Sequence, residues 1–366
     1  MFLTVIYFLI DAQPGDFGSV YAADPRLTPQ QRAVLRARFG LDDPVHIRYF
    51  NWLKNTLQGD LGVSFSNYPR PVLDVIAERA PRTILLFLSS TIVSYYVGFL
   101  MGKILAWRRG GWLEYATTIG GVGLYTVFLP WFGLMMIWFF SYTLGIFPIG
   151  KFIDPTVWRR APVDANFVFH RIVLTAMISS VVLFVVSYIA RRLNPGQRRP
   201  FLMGGLVVIA AGVVAYWAST GISRYAIDIL RHLILPILTL ALVNFAGVML
   251  LTRNSMLETL KEDYVMAARA KGLPDKTIRD KHAARNALLP VVTSFVLALA
   301  FVLDGGVITE TIFSWPGMGL TLLTAAQTQD IPMVIGGLMF VGAMALSGHL
   351  LVDILYAYLD PRIRYS

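Results

Sequence analysis

Five histidines, His46, His170, His232, His282 and His349, have the widest chemical repertoire in this 366-residue chain. An imidazole can ligate a metal or shuttle protons near neutrality. No two of them stand four apart with a glutamate between, so the helical zinc-hydrolase pattern is absent, and each reads as an interfacial or hydrogen-bonded histidine. There is no cysteine, which excludes disulfides, thiolate nucleophiles and cysteine-ligated zinc or iron–sulfur centres. Nucleotide chemistry would call for a Gly-x4-Gly-Lys-Ser/Thr loop. The nearest stretch, Gly98 to Lys103, has the wrong spacing and runs on into Ile104. If ATP drives this protein, another chain binds it. The other notable groups, Lys103, Asp304, Glu310, His349 and Asp353, stand near the ends of long apolar runs, and no run carries a charge at its midpoint. Burying such a charge costs about 2.5–3.5 kcal/mol, so a proton- or sodium-coupled carrier that uses one usually shows it. The absence counts against that class, although backbone carbonyls can also hold sodium.

Composition sets the elements that must position these groups. Apolar residues make up 56% of the chain and charged residues 15%, against roughly 25% charged in a typical soluble domain. Mean hydropathy is +0.60. Runs free of Asp, Glu, Lys and Arg cover 83–102, 115–150, 172–190, 201–223, 232–252, 286–303 and 331–352. About 20 apolar residues cross a bilayer, so the chain reads as an all-α polytopic membrane protein. The run 115–150 is too long for one helix. A helix is placed near 116–141, and 142–150, with Gly145 and Pro148, is read as an exit loop. Residues 1–10 are apolar but too short to cross alone, and they lack the basic start and cleavage site of a signal peptide. Read as the outer part of a first helix, they bring the expected count to about eight transmembrane helices.

Lys and Arg outnumber Asp and Glu by 32 to 22, giving +10. In such a chain the excess is read as basic residues flanking spans on the cytoplasmic side, where they meet membrane lipid, not as a nucleic-acid surface. Segments 107–114, 191–200, 253–285 and 361–366 hold 2, 4, 8 and 2 basic residues and are placed inside. The loop 310–330 holds none and 221–231 holds two, and both are placed outside. Segment 142–171, with four, runs against the trend, and 11–82, with nine, is long enough to escape the rule. Both termini, including the tail 359–366, are expected in the cytoplasm, with 11–80 outside. Within 11–80, Thr28 and Pro29 open a helical stretch that Gly40 closes, and 45–57 forms a second with Ile47, Phe50, Trp52, Leu53 and Leu57 apolar. A small extracytoplasmic cap is expected, docked on the membrane domain at 81–358 and too short for a large core of its own.

The most informative stretch is the inner loop 253–285. Met256, Leu257, Leu260, Tyr264, Val265 and Ala268 recur at helical spacing, which predicts an amphipathic helix outside the membrane. Lys271-Gly272-Leu273-Pro274 stops it, and Asp275 caps a second helix leading into the next span. Gly272 and the small residues Ala267, Ala268 and Ala270 would let another protein approach closely. Contact with anionic lipid is the other reading of this basic helix.

At this loop the sequence resembles the permease subunits of binding-protein-dependent ABC importers, whose signature is Glu-Ala-Ala-x3-Gly before the penultimate span. Met266-Ala267-Ala268-x3-Gly272 matches at Ala, Ala and Gly. The methionine in the glutamate position, and the distance to Leu289-Pro290, resemble the dipeptide/oligopeptide branch. Further stretches agree in order: Pro14-Gly15-Asp16, Phe39-Gly40-Leu41-Asp42, Gly59-Asp60-Leu61-Gly62, Phe147-Pro148-Ile149-Gly150, the run from Arg231 to Pro236, the run from Glu310 to Gly319, and the run from Asp360 to Arg364. The cap after the first span is similar to that of the B-type partner of the two permeases. The family usually has six spans. Here a further hairpin, 172–223, is inserted around the basic turn 191–199 and reads as a lipid-facing decoration or a docking site for an accessory subunit.

The resemblance implies a translocation pathway, not an enzyme: this subunit with a homologous C-type permease, two ABC ATPase subunits that bind ATP and magnesium, and an extracytoplasmic substrate-binding protein, in a bacterial or archaeal cytoplasmic membrane. No cofactor and no metal is expected on this chain. Tyr264, Ala267, Ala268, Arg269, Ala270, Lys271 and Gly272 would dock on one ATPase, whose closure rocks the spans. Asn244, Asp304, Glu310 and Trp315 are the candidates for the path or its gate. An interhelical hydrogen bond or helix-end cap is the competing reading of Asn244, Asp304 and Glu310, and a tight turn that of Trp315. A nucleotide-independent carrier or channel is the alternative class. An intramembrane hydrolase would need a buried Ser/His or Asp pair that no spacing here supports. The branch mostly moves short peptides, but nickel chelates, opines and oligosaccharides are also within its range.

Overall fold

The computed structural model describes Thr4, Val5, Tyr7, Phe8, 28–30, Ala33, 43–108, 110–301 and 306–359. The described residues are helical throughout apart from loops and one isolated antiparallel bridge, Val63 to Pro71. In chain order the helices used below are α1 Val45–Leu57, α2 Val72–Trp107, α3 Trp112–Thr126, α4 Leu129–Met136, α5 Ala165–Arg191, α6 Pro195–Ser219, α7 Ser223–Thr259, α8 Asp263–Ala270, α9 Ala284–Phe301, α10 Val307–Ile312, α11 Met318–Gln327 and α12 Ile331–Leu359. π-Helical turns, Ile137–Thr143 and Ile278–Ala283, extend α4 and precede α9.

Among the described residues, six helices are long and apolar enough to cross a membrane, or seven if the interrupted pair formed by α3 and α4 is one span. The expected first span, 1–10, and the helix expected at 28–39 lie largely outside the described residues, as does the end of the tail, 360–366. The second expected cap helix has its counterpart in α1. Its Tyr49 and Trp52 stack on Tyr7 with ring centroids 5.3 and 5.1 Å apart, and the Tyr49 hydroxyl lies 2.9 Å from that of Thr4.

The third span departs from expectation. No continuous helix fills 116–141. Val127 and Phe128 are extended, with ψ near 140° and 108°, and split it into α3 and α4. Pro130 explains the break: it has no N–H to give the carbonyl four residues back, and its ring would clash there.

The chain divides into two compact units. One comprises Met1–Val127, Leu240–Thr311 and Pro316–Ser366; the other comprises Phe128–Thr239 and Ile312–Trp315. In the first, α2, α9, α11 and α12 pack on one another, and Val72, Val75, Ile76 and Ala80 meet Met318, Ala325 and Met333 in one buried cluster. α2 also lies close against the C-terminal half of α7. A Cβ on Gly98 would come within 2.7 Å of Val248 Cβ, and one on Gly102 within 2.5 Å of the Met249 carbonyl. In the second unit α5 and α6 form a hairpin and pack on each other. Their most apolar stretches are 6% and 0% buried, and Leu174, Val181, Phe184, Val207 and Val208 are left exposed by the described residues.

Candidate functional site

The amphipathic helix expected within 253–285 starts later than its periodicity suggests. Met256 and Leu257 belong to the last turns of α7, which runs to Thr259, and only after a turn at 260–262 does the eight-residue α8 begin. Leu260 explains why the pattern reads straight through: it packs both with Met256, Ala283, Ala284 and Ala287, and with Val265, Ala268 and Ile278. α8 roots itself through Val265 and Ala268, which are buried against Ile278, with Trp107, Leu260 and Leu273 closing the cluster. Ala268 therefore faces the chain's own core, and the expectation that it forms part of the docking face is corrected. The Ala268 methyl packs in the cluster with Ile278 of the π-helical turn that precedes α9. Tyr264, Met266, Ala267, Arg269, Ala270, Lys271 and Gly272 are exposed. The Tyr264 hydroxyl accepts a hydrogen bond from Asn286 Nδ2 at 2.7 Å, and the Arg269 guanidinium lies 5.8 Å from the Trp107 ring centre.

Gly272 ends α8 in the left-handed region, φ 72°. There its N–H reaches the Arg269 carbonyl and the Leu273 N–H reaches that of Ala268. A glycine pays no steric penalty in this conformation. Asp275 is the first residue of the next helical turn, not its cap; Pro274 holds the cap position.

Glu310 and Trp315 fall in two separate arrangements. Glu310 in α10 is fully buried. Its Oε1 accepts from the Thr83 hydroxyl at 2.7 Å, and its Oε2 from the N–H of Leu320 at 2.9 Å, with the Gly319 N–H as a further donor. Thr83 Oγ1 accepts in turn from the Met318 N–H at 2.8 Å. These are the orphan amides of the first turn of α11, whose cap residue is Gly317 and has no side chain to offer. Glu310 and Thr83 thus cap α11 from two other helices. Gly317 makes room for them: a Cβ there would lie 2.2 Å from Glu310 Oε1 and 2.4 Å from Thr83 Oγ1. Burial pushes the Glu310 carboxyl above the ordinary carboxylate range, against the pull of the hydrogen bonds it accepts. Arg79 and Arg82 donate to the Pro316 carbonyl at 3.4 and 3.3 Å.

Trp315 is also fully buried. Its ring meets Phe152 edge-on at 5.3 Å, and Phe152 meets Phe169 at 5.7 Å. The Lys151 N–H donates to the Phe313 carbonyl at 2.8 Å, and a Cβ on Gly150 would stand 2.6 Å from that same oxygen. The turn closing Phe147-Pro148-Ile149-Gly150 and the residues around Trp315 are therefore one packed unit. Asn244 is exposed on α7, and its Nδ2 donates to the Leu240 carbonyl of its own helix at 2.9 Å. Asp304 lies outside the described residues.

Sequence reasoning missed Asp330. It is fully buried and accepts from the Ser64 hydroxyl at 2.6 Å, the Ser66 N–H at 2.8 Å and the Met333 N–H at 3.3 Å, tying the stretch after α1 to the start of α12. Its position one residue before Ile331-Pro332 is the available signal, since Asp before a proline-bearing first turn marks a helix start. Two cross-helix ion pairs were also missed: Arg253 with Glu114, which also accepts from the Gly110 N–H at 2.7 Å, and Lys103 with Asp280 at 3.2 Å. Among the described residues no group of three His, Asp or Glu side chains is placed to hold a metal ion.

Comparison with known proteins gives the same direction over the whole chain. Residues 96–365 match the family described as binding-protein-dependent transport system inner membrane component. The chain is 31% identical to the oligopeptide transport system permease protein AppB of Bacillus subtilis, over 99% of this chain and 94% of the relative. It is 33% identical to the dipeptide transport system permease protein DppB of Escherichia coli K12, over 96% and 91%. It is 32% identical to the di/tripeptide transport system permease protein DppB of Pseudomonas aeruginosa, over 100% and 94%.

Proposed function

We propose, since this chain belongs to the family of binding-protein-dependent transport system inner membrane components, that it is the permease subunit of an ATP-driven peptide importer. The observation that carries this reading is the likeness, over 96 to 100% of the chain, to permease proteins named for oligopeptide, dipeptide and di/tripeptide transport. The chain works with a homologous second permease, two ATPase subunits that hold ATP and magnesium, and an extracytoplasmic binding protein that delivers short peptides. It sits in a bacterial or archaeal cytoplasmic membrane with both termini inside.

The geometry of α8 supports the coupling role. A docking element that transmits force has to be anchored on one side and free on the other. Val265 and Ala268 anchor it, while Met266, Ala267, Arg269, Ala270 and Lys271 are left exposed for a partner. Glu310 and Trp315 act on the path from behind, by holding the outer loop in shape, because both side chains are buried within the chain.

Affinity purification of the tagged chain from its native membrane tests the reading. Two ATPase subunits and a second permease of similar size should accompany it, with ATP hydrolysis stimulated by a peptide-loaded binding protein. A chain that comes alone and transports without nucleotide would overturn it in favour of a carrier or channel.

A further inference from the structure

The coupling segment is tied to the spans by more than apolar packing. Lys103, one turn before the end of α2, places its Nζ 3.2 Å from Asp280 Oδ1. The same carboxylate takes two hydrogen bonds from Arg279, at 2.9 and 3.0 Å. Asp280 is the third residue of the π-helical turn Ile278–Ala283, which joins the coupling segment to α9. π-Helical turns are frequent at functional sites and are among the places where helices kink. α8 is held to this region through Ile278 and through the hydrogen bond between Tyr264 and Asn286. Force applied to α8 therefore reaches α9 through the π-helical turn, which Lys103 ties to a 36-residue helix.

We propose that the Lys103–Asp280 pair is a transmission clamp, making the inner ends of α2 and α9 follow α8 as one body. The inference rests on the permease reading and deepens it: Lys103 and Asp280 are positioning residues for coupling. Stability does not account for the pair. The two side chains are 17% and 31% exposed, and ion pairs with access to solvent add little to folding. The consequence of losing it is slack, with the π turn bending while α2 stays behind.

The test uses the complete importer in liposomes with its binding protein, reading ATP hydrolysed per peptide accumulated. Lys103→Met and Asp280→Asn should each raise that ratio about 2- to 30-fold, the range of coupling energies carried by single contacts, while the ATPase subunits still co-purify. The absence of native cysteine allows a decisive complement. In Lys103→Cys/Asp280→Cys, a short thiol-specific cross-linker should restore the wild-type ratio, and reduction should abolish the rescue. Single variants as tightly coupled as the wild type, or a cross-link without effect, would overturn the clamp alone. A wild-type complex without ATP-driven uptake would overturn the permease reading and the clamp with it.

Discussion

Glu310→Ala should unfasten the start of α11, and its cost can be worked from the donors it abandons. The carboxylate accepts from the Thr83 hydroxyl and from the amides of Leu320 and Gly319. The hydroxyl can turn to a carbonyl of its own helix, as threonines in helices do; the two amides have no such choice. Each buried donor left unpaired costs about 1–3 kcal/mol, so the loss is about 2–6 kcal/mol. Glu310→Gln keeps one acceptor for the amides and turns its NH2 toward Thr83, and should lose about 1 kcal/mol. Gly317→Ala should reproduce the defect with Glu310 intact, because its Cβ would stand 2.2 Å from Oε1; overpacking of this kind costs about 1–3 kcal/mol. The assay is thermal unfolding of the detergent-purified chain, with wild type above Glu310→Gln and Glu310→Gln above Glu310→Ala. A Glu310→Ala protein as stable as wild type would refute the capping argument. pH supplies a second check. A carboxyl whose pKa is higher in the folded state adds stability below the ordinary carboxylate range, and that stability fades as pH rises through the raised value. Wild-type stability relative to the non-titrating Glu310→Gln should therefore fall with rising pH across that window. A rise would show that the hydrogen bonds outweigh burial.

Other substitutions separate folding from coupling. Gly272→Glu should leave the chain membrane-inserted and abolish ATP-driven uptake, since a Cβ there meets nothing within 4 Å and backbone strain costs only about 1–2 kcal/mol; Gly272→Ala, with the same strain and no bulk, should retain most uptake in the same liposome assay. Asp330→Ala should cost about 2–4 kcal/mol by orphaning the Ser66 amide and uncapping α12, visible as faster proteolysis between 58 and 71. Gly102→Leu should prevent α2 and α7 from closing, its first carbon already 2.5 Å from the Met249 carbonyl, so that little monodisperse protein survives detergent extraction.

The long apolar helices and the short helix α8 were legible because hydrophobic run length and helical periodicity are local properties. α1 and the helix pair α5 and α6 were found on the same signals. What failed was interpretation across a boundary. Leu260 serves two clusters, so its periodicity hid the turn between α7 and α8. Pro130 was passed over because the apolar run around it was unbroken. Ala268 was grouped with its exposed neighbours because small size alone does not say whether a residue admits a partner protein or its own chain. The partners of Glu310 were out of reach for a different reason: Thr83 lies 227 residues away, and no spacing encodes that encounter.

The two extended residues between α3 and α4 carry one more consequence, for hydration. A helix that stops at Thr126 and restarts at Leu129 leaves carbonyls behind it and amides ahead of it without helical partners. The Thr126 hydroxyl lies 3.0 and 3.2 Å from the carbonyls of Val122 and Gly123 and can meet part of that need. Hydrocarbon can serve none of the rest, and each group abandoned to it would cost several kcal/mol. Within a bilayer these backbone groups therefore call for water or protein partners in place of hydrocarbon.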